Sequence, residues 1–309
     1  MPNTTRRGAA RAPVARPAAR ASAVPTPSTR SWAVPAVVAA VALLAGGAYV
    51  VTQGEESVGA ADAPYVGGDL HTVTAVDDKL YVGGHDGVAV STDGGQTWES
   101  VPSLDGADAM GWAQTDEGLL VGGHPGLYRS SDNGATFAKS AVADGQVSDI
   151  HALGAAGDVA YLASPAAGLL ASADGGTTWE SRNADVGQGF MGTVLVDPTD
   201  PDRLIAPDMQ NGLVASSDGG TTWTVLGGPS GAMSAAWDPT DTERIVAVGM
   251  GGGALSSDGG QTWSDLALPS GTSAATYSSD GRSLYAAALD GDTARVWVST
   301  DGGATWREV

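Results

Sequence analysis

No cysteine occurs in the 309 residues. That excludes disulfide bonds, thiolate metal ligands and a lipid-modified cysteine, so an exported domain of this chain is held by packing alone. Histidine is scarce, with four residues, and methionine numbers six. Basic residues are few and unevenly placed. Of 15 Lys+Arg, six (Arg6, Arg7, Arg11, Arg16, Arg20 and Arg30) fall in residues 1–31, which hold no acid; 15 − 6 leaves nine against all 35 Asp+Glu, so the remainder carries 9 − 35 = −26. Such a surface repels a phosphate backbone and excludes nucleic acid as a partner. Its acidity serves solubility, and a monomer is expected.

Charge is absent from residues 32–51, a run rich in Ala, Val and Leu. At about 1.5 Å per helical residue it spans a hydrocarbon core of about 30 Å. The expectation is a basic cytoplasmic tail (1–31), a single-pass transmembrane signal-anchor (32–51), a small, polar, acidic linker (52–68) and a globular domain (69–309) outside the cell membrane, the Arg-rich side remaining cytoplasmic. A cleaved signal peptide ending near Ala60 to Ala63 is the competing expectation.

What is present in quantity is a repeat. Ser91 to Trp98 reads Ser-Thr-Asp-Gly-Gly-Gln-Thr-Trp, and five further copies follow, around Asp132, Asp174, Asp218, Asp258 and Asp301, at intervals of 39, 42, 44, 40 and 43 residues. A period of this size signals a repeat architecture. Each copy reads as a turn between strands. The Asp carboxylate and Ser/Thr hydroxyls bond the turn's amides, Gly supplies positive φ, and the aromatic packs against the neighbouring repeat. The six aspartates Asp93, Asp132, Asp174, Asp218, Asp258 and Asp301 are therefore structural.

This S-x-D-x-G-x-T-W pattern resembles the Asp-box (BNR) repeat of sialidases, sortilin-type receptors and photosystem II assembly factors. The resemblance covers about residues 69–309 and implies an all-β fold, a six-bladed β-propeller. Four strands per blade are expected, the first of blade one over 71–76 and the last strand ending at Val309. Residues 64–67 either add an edge strand that helps close the ring or begin a further blade. In a propeller the loop between second and third strands returns to the face where the first strand starts, whereas the Asp-box turns lie on the opposite face.

That geometry gathers the rare residues. His71, Met110, His151, Met191 and Met233 begin first strands, with Ser273 in the sixth blade; His85, His124, Met209 and Met250 lie in the second-to-third-strand loops. Every histidine, and every methionine except the first, maps to one face. Imidazole and thioether together suit copper, and imidazole also suits zinc. The expected ligands are His71, His85, His124 and His151, joined by Met110 and Met250. Asp69, Asp108 and Asp149 each stand two residues before one of these positions, as carboxylates that orient a ligating histidine or bind the ion directly. Against this, inner strands use Met as core filler, and a histidine there is often a hydrogen-bonded core residue. Glycines beside His85 and His124 let backbone approach a bound group.

Catalysis is the alternative. The sialidase resemblance implies an arginine cluster and a supported tyrosine, but no three arginines converge on the site face, and the sialidase opening motif is absent. Another glycosidase chemistry would use Asp108 and Asp149 as acid and base, with Trp112 stacking on a sugar. A third class is a scaffold for a glycan or protein partner, which the photosystem II resemblance implies; those factors use an Arg-rich surface that this acidic domain lacks. The leading expectation is a membrane-anchored propeller that binds copper, or zinc, at its channel mouth without catalysis.

Overall fold

Alternating apolar runs of four to seven residues, separated by Asp, Gly and Pro turns, fold into antiparallel meanders because each strand must bury alternate side chains. The computed structural model describes residues 63–142 and 147–309. The basic tail 1–31, the apolar run 32–51 and linker residues 52–62 lie outside the described residues. Among those described, six sheets form six blades. Blade one comprises Leu70–Val76, Lys79–Gly84, Val88–Ser91 and Glu99–Ser100. The first strands of blades two to six begin at Gly111, Ala152, Gly192, Ala232 and Thr272.

First strands from all six blades line a central cavity of about 560 Å³, with His71 among its lining and Asp116, Pro198, Pro239 and Ser279 from the turns after those strands. Blade four departs from the simple pattern. Its first strand is interrupted at Val194: Gly192–Thr193 runs parallel to the first strand of blade three, and only Leu195–Val196 pairs within its own blade. The backbone bonds Gly192 N to His151 O (2.8 Å) and Val194 N to Leu153 O (3.0 Å) fuse the two blades.

The repeat explains how blades stay upright. In the first box the Ser91 hydroxyl donates to Asp93 Oδ1 at 2.8 Å and accepts the Gly95 amide at 2.8 Å, while the Thr97 amide and hydroxyl donate to the two Asp93 oxygens at 2.9 and 2.7 Å. The same lock closes the other five boxes. Gly94 and Gly95 adopt φ of 76° and 95°, which only glycine tolerates easily. The lock aims the following aromatic inward. Six apolar cores lie between neighbouring blades, and each is reached by one box aromatic: Trp98 between six and one, then Phe137, Trp179, Trp223, Trp263 and Trp306 in succession.

The ring closes non-covalently. Residues 64–67 lie along blade six, with a bridge from Tyr65 to Thr293 and backbone bonds from Val66 N to Asp292 O (2.9 Å) and from Ala294 N to Pro64 O (2.8 Å). Of the two expectations for this segment, the edge addition to blade six is the one observed. Arg203, Arg244 and Arg282 are confined to the turn face. Arg203 pairs with Asp197 at 2.7 Å and Arg244 with Asp238 at 2.9 Å, each also lying over an aromatic ring of the next blade.

Two outcomes follow from this packing. Trp98, 2% exposed in the seam between blades one and six, loses about 3–5 kcal/mol of stability when replaced by alanine, read by thermal or urea unfolding; a change below about 1 kcal/mol would mean the seam does not depend on it. Hydrogen bonds from the threonine hydroxyl and amide hold Asp93, Asp132, Asp174, Asp218 and Asp301 down to about 2, and Asp258 is lowered in the same way. A lowered carboxylate pKa contributes stability above the ordinary value and loses it as pH falls through the folded one. The domain therefore keeps the box contribution above about pH 4 and loses it towards pH 2, as acid titration by circular dichroism would show.

Candidate metal centre at the channel mouth

The channel-mouth site is built by lead-in segments that precede each first strand and by the glycine-rich loops between second and third strands. Asp108 N donates to His124 O (2.9 Å), Ala109 N to Gly84 O (3.1 Å) and Ile150 N to Gly123 O (3.2 Å). These bonds press each lead-in against a Gly-Gly pair. A methyl group at Gly123 would fall 1.3 Å from the Asp108 carbonyl oxygen, and one at Gly84 would fall 2.1 Å from that of Asp69. The glycines beside the histidines thus admit the chain's own backbone, where the sequence suggested approach to a bound group. His71 occupies a bulge between the pairs Leu70–Gly84 and Thr72–Gly83, and Met233 and Ser273 occupy the corresponding bulges of blades five and six. The extra residue turns these side chains at the start of the strand.

All four histidines meet. His71 Nε2 lies 2.7 Å from Asp108 Oδ1. The other Asp108 oxygen lies 3.2 Å from His124 Nδ1 and 3.6 Å from His85 Nδ1. His124 Nε2 then lies 3.0 Å from Asp149 Oδ1, which His151 Nε2 approaches to 2.9 Å. The result is an alternating row, His71–Asp108–His124–Asp149–His151, with His85 as a branch. Each carboxylate crosses a seam: Asp108 leads into blade two and touches histidines of blades one and two, and Asp149 leads into blade three and touches those of two and three.

Burial deepens towards Asp108, which is 6% exposed. Burial alone would raise its pKa, but the His71, His124 and His85 imidazoles outweigh this and lower it. Burial alone would lower the pKa of His71; the adjacent Asp108 carboxylate, with Asp69, reverses the direction and raises it. Close approach is not hydrogen bonding throughout. His124 Nδ1 and Asp108 Oδ2 are aligned as a bond. His71 Nε2, Asp108 Oδ1 and Asp149 Oδ1 are buried and complete no well-formed hydrogen bond, although their facing atoms stand only 2.7–3.0 Å away.

Other expected residues are placed differently. Met110 immediately precedes the first strand of blade two, rather than beginning it, and is buried, 7% exposed. Met250 is 73% exposed on blade five, outside the three blades that carry the histidines, where it lies over Gly231. Asp69 accepts the Leu70 amide at 2.8 Å and its other oxygen reaches only to 3.9 Å from His71 Nε2. Trp112 is not free to stack on a sugar. It is buried against Tyr81 and Phe137 and donates to Thr72 Oγ1 at 3.1 Å. Sequence reasoning found every member of the row but not its order, nor the role of Asp108 as its hub.

Comparisons with known proteins agree with the architecture. The family model described as Sortilin, neurotensin receptor 3, matches residues 126–251, and the BNR/Asp-box repeat model matches residues 89–100 and 297–308. No curated protein matches the chain. Among solved structures, a GH74 xyloglucanase from Xanthomonas campestris is similar at 19% identity and a TM-score of 0.52, over 80% of this chain and 46% of that one, so this chain spans less than half of the enzyme. YCF48 bound to D1 peptide is similar at 18% identity and a TM-score of 0.51, over 81% of this chain and 84% of that one. The WD40 repeats of RRP9 reach a TM-score of 0.50 at 9% identity, over 78% and 80%. Likeness at these identities establishes the fold alone.

A pKa raised in the fold contributes stability fully present below the ordinary histidine value and lost as pH rises through the folded one. In chelator-treated protein, the stability advantage of wild type over Asp108→Asn is accordingly greater near pH 6 than near pH 8.5 by thermal unfolding. An advantage that grew with pH would contradict the His71–Asp108 pairing.

Proposed function

From a chain that is an Asp-box (BNR) repeat β-propeller, we propose that blades one to three bind a divalent transition-metal ion, copper or zinc, at the channel mouth. One observation carries the reading. Donor atoms of His71, His85 and Asp108 all lie within 4.8 Å of one another, and in these side chains the buried His71 Nε2 and Asp108 Oδ1 complete no well-formed hydrogen bond. Buried polar atoms are normally paired. An ion with bonds of about 2.0–2.3 Å draws ligands of this kind together and satisfies them, and the His85 ring, two-thirds exposed, has room to swing in.

The donor set decides the metal class. Imidazole and carboxylate suit zinc and copper(II), whereas copper(I) favours thioether and thiolate. With Met110 buried and Met250 on another blade, thioether is secondary, which shifts the preference towards the divalent ions. The reading includes a single-pass anchor at residues 32–51 and a propeller facing an oxidising exterior, where a cysteine-free site suits copper(II). Binding is preferred to glycoside hydrolysis because imidazole nitrogens crowd Asp108 and Asp149, the candidate acid and base, at 2.7–3.2 Å and take the space a sugar would need.

Isothermal titration of the detergent-solubilised full-length chain with zinc chloride and with copper(II) chloride tests this. Wild type binds at least one ion, and His71→Ala/His85→Ala weakens binding by about 100-fold or more. Absence of binding, or unchanged binding in the double variant, would return these histidines to a structural role.

A further inference from the structure

We infer that the turn face carries a binding site of its own, in the seam between blades six and one, for a small aromatic molecule that bears an amine; it does not depend on the metal reading. A cavity of about 540 Å³ lies there, between the first turn of blade one and that of blade six. Ala75, Ser278 and Ser279 line both this cavity and the central one, so the two spaces adjoin at these residues. The volume falls within the range of about 300–1,000 Å³ usual for small-molecule sites.

The blade register explains why this seam is open. Trp237 pairs with Ile245, which pairs with the box serine Ser256; Tyr277 pairs with Leu284, opposite the box serine Ser299. In the same register of blade one, opposite Leu80 and in line with Ser91, stands Ala75. Trp237 and Tyr277 pack into the seams that precede their blades, beneath Arg203 and Arg244. Ala75 packs into the seam that precedes blade one but brings no ring. Tyr285 enters that seam from blade six and fills part of the gap, and its side chain remains in the cavity wall. A flat ring stacked on Tyr285 occupies the space that an indole takes in the seam between blades four and five.

The charged lining sets the rest of the ligand. Asp77, Asp78 and Asp280 border the cavity and are exposed. Lys79, the one cation in the lining, donates to the Asn133 carbonyl oxygen of blade two. Arg282 lies outside the lining and approaches Asp280 only to 3.6 Å. The field in the cavity is therefore negative and favours an ammonium group. Among the described residues these carboxylates form no cluster tight enough for a bare ion. An organic cation, with its ring on Tyr285 and its amine towards the carboxylates, matches both halves of the cavity.

Isothermal titration of the full-length chain in detergent, blanked against detergent alone, tests this with tryptamine and indole-3-acetate. Tryptamine binds, and indole-3-acetate, the same ring with the opposite charge, binds at least about 10-fold more weakly. Ala75→Trp closes the cavity as Trp237 closes its own seam. It abolishes tryptamine binding while circular dichroism and the thermal midpoint stay at wild-type values or above. If that variant fails to fold, Asp77→Asn/Asp78→Asn is read in its place, since asparagine tolerates the positive φ of 52° at Asp77; it weakens tryptamine binding by about 10-fold or more. The site is overturned if wild type does not bind tryptamine, if the two probes bind equally, or if a folded Ala75→Trp or Asp77→Asn/Asp78→Asn binds tryptamine as wild type does.

Discussion

A serine hydroxyl donating to an aspartate two residues away holds each blade to the next. The bond is short-range, but it fixes a turn that would otherwise splay, and the turn fixes where an indole or phenyl ring goes. A blade is a thin sheet with two apolar faces and cannot bury either by itself. The ring wedged between neighbouring sheets supplies that burial. Six such wedges, each aimed by the same hydroxyl–carboxylate contact, convert separate meanders into one closed body without a disulfide.

The opposite face obeys a different constraint. There the chain crosses from the outer strand of one blade to the inner strand of the next, and the crossing must pass close over the loops. Paired glycines make the passage possible, as Gly84 and Gly123 show. The same closeness carries Asp108 and Asp149 over the seams and into reach of histidines from two blades each. Scaffold and site are thus linked: the tight seam is what assembles the row.

Much of this was legible in the sequence. The box gave the blade count, the seam aromatics and the separation of the two faces, because its residues act within one turn and need no distant partner. The histidines could be gathered by aligning blade positions. What the alignment could not supply was direction across the seam. Spacing placed Asp108 beside Met110 and Asp149 beside His151, yet Asp108 turns towards His71, His85 and His124 while Met110 turns inward. The bulge at His71 and the backbone ties of the lead-ins set these directions, and neither has a signature in residue type. The glycines beside His85 and His124 make room for the lead-in backbone, a neighbour that residue type does not specify. Trp112, open to two readings as a lone aromatic, was decided by the core around Tyr81.

The clasp of residues 64–67 on blade six has a consequence for how the domain reaches its native state. The contacts that complete the seam join partners some two hundred positions apart, as between Leu70 and Ser273, separated by 203 residues. Most other pairings in the molecule lie within a blade or between successive ones. Such distant contacts form slowly, because a long loop must close before they stabilise anything. Five seams can therefore zip in sequence, while the sixth waits for the whole arc. The junction of blades one and six is thus the last seam whose two sides the chain brings together.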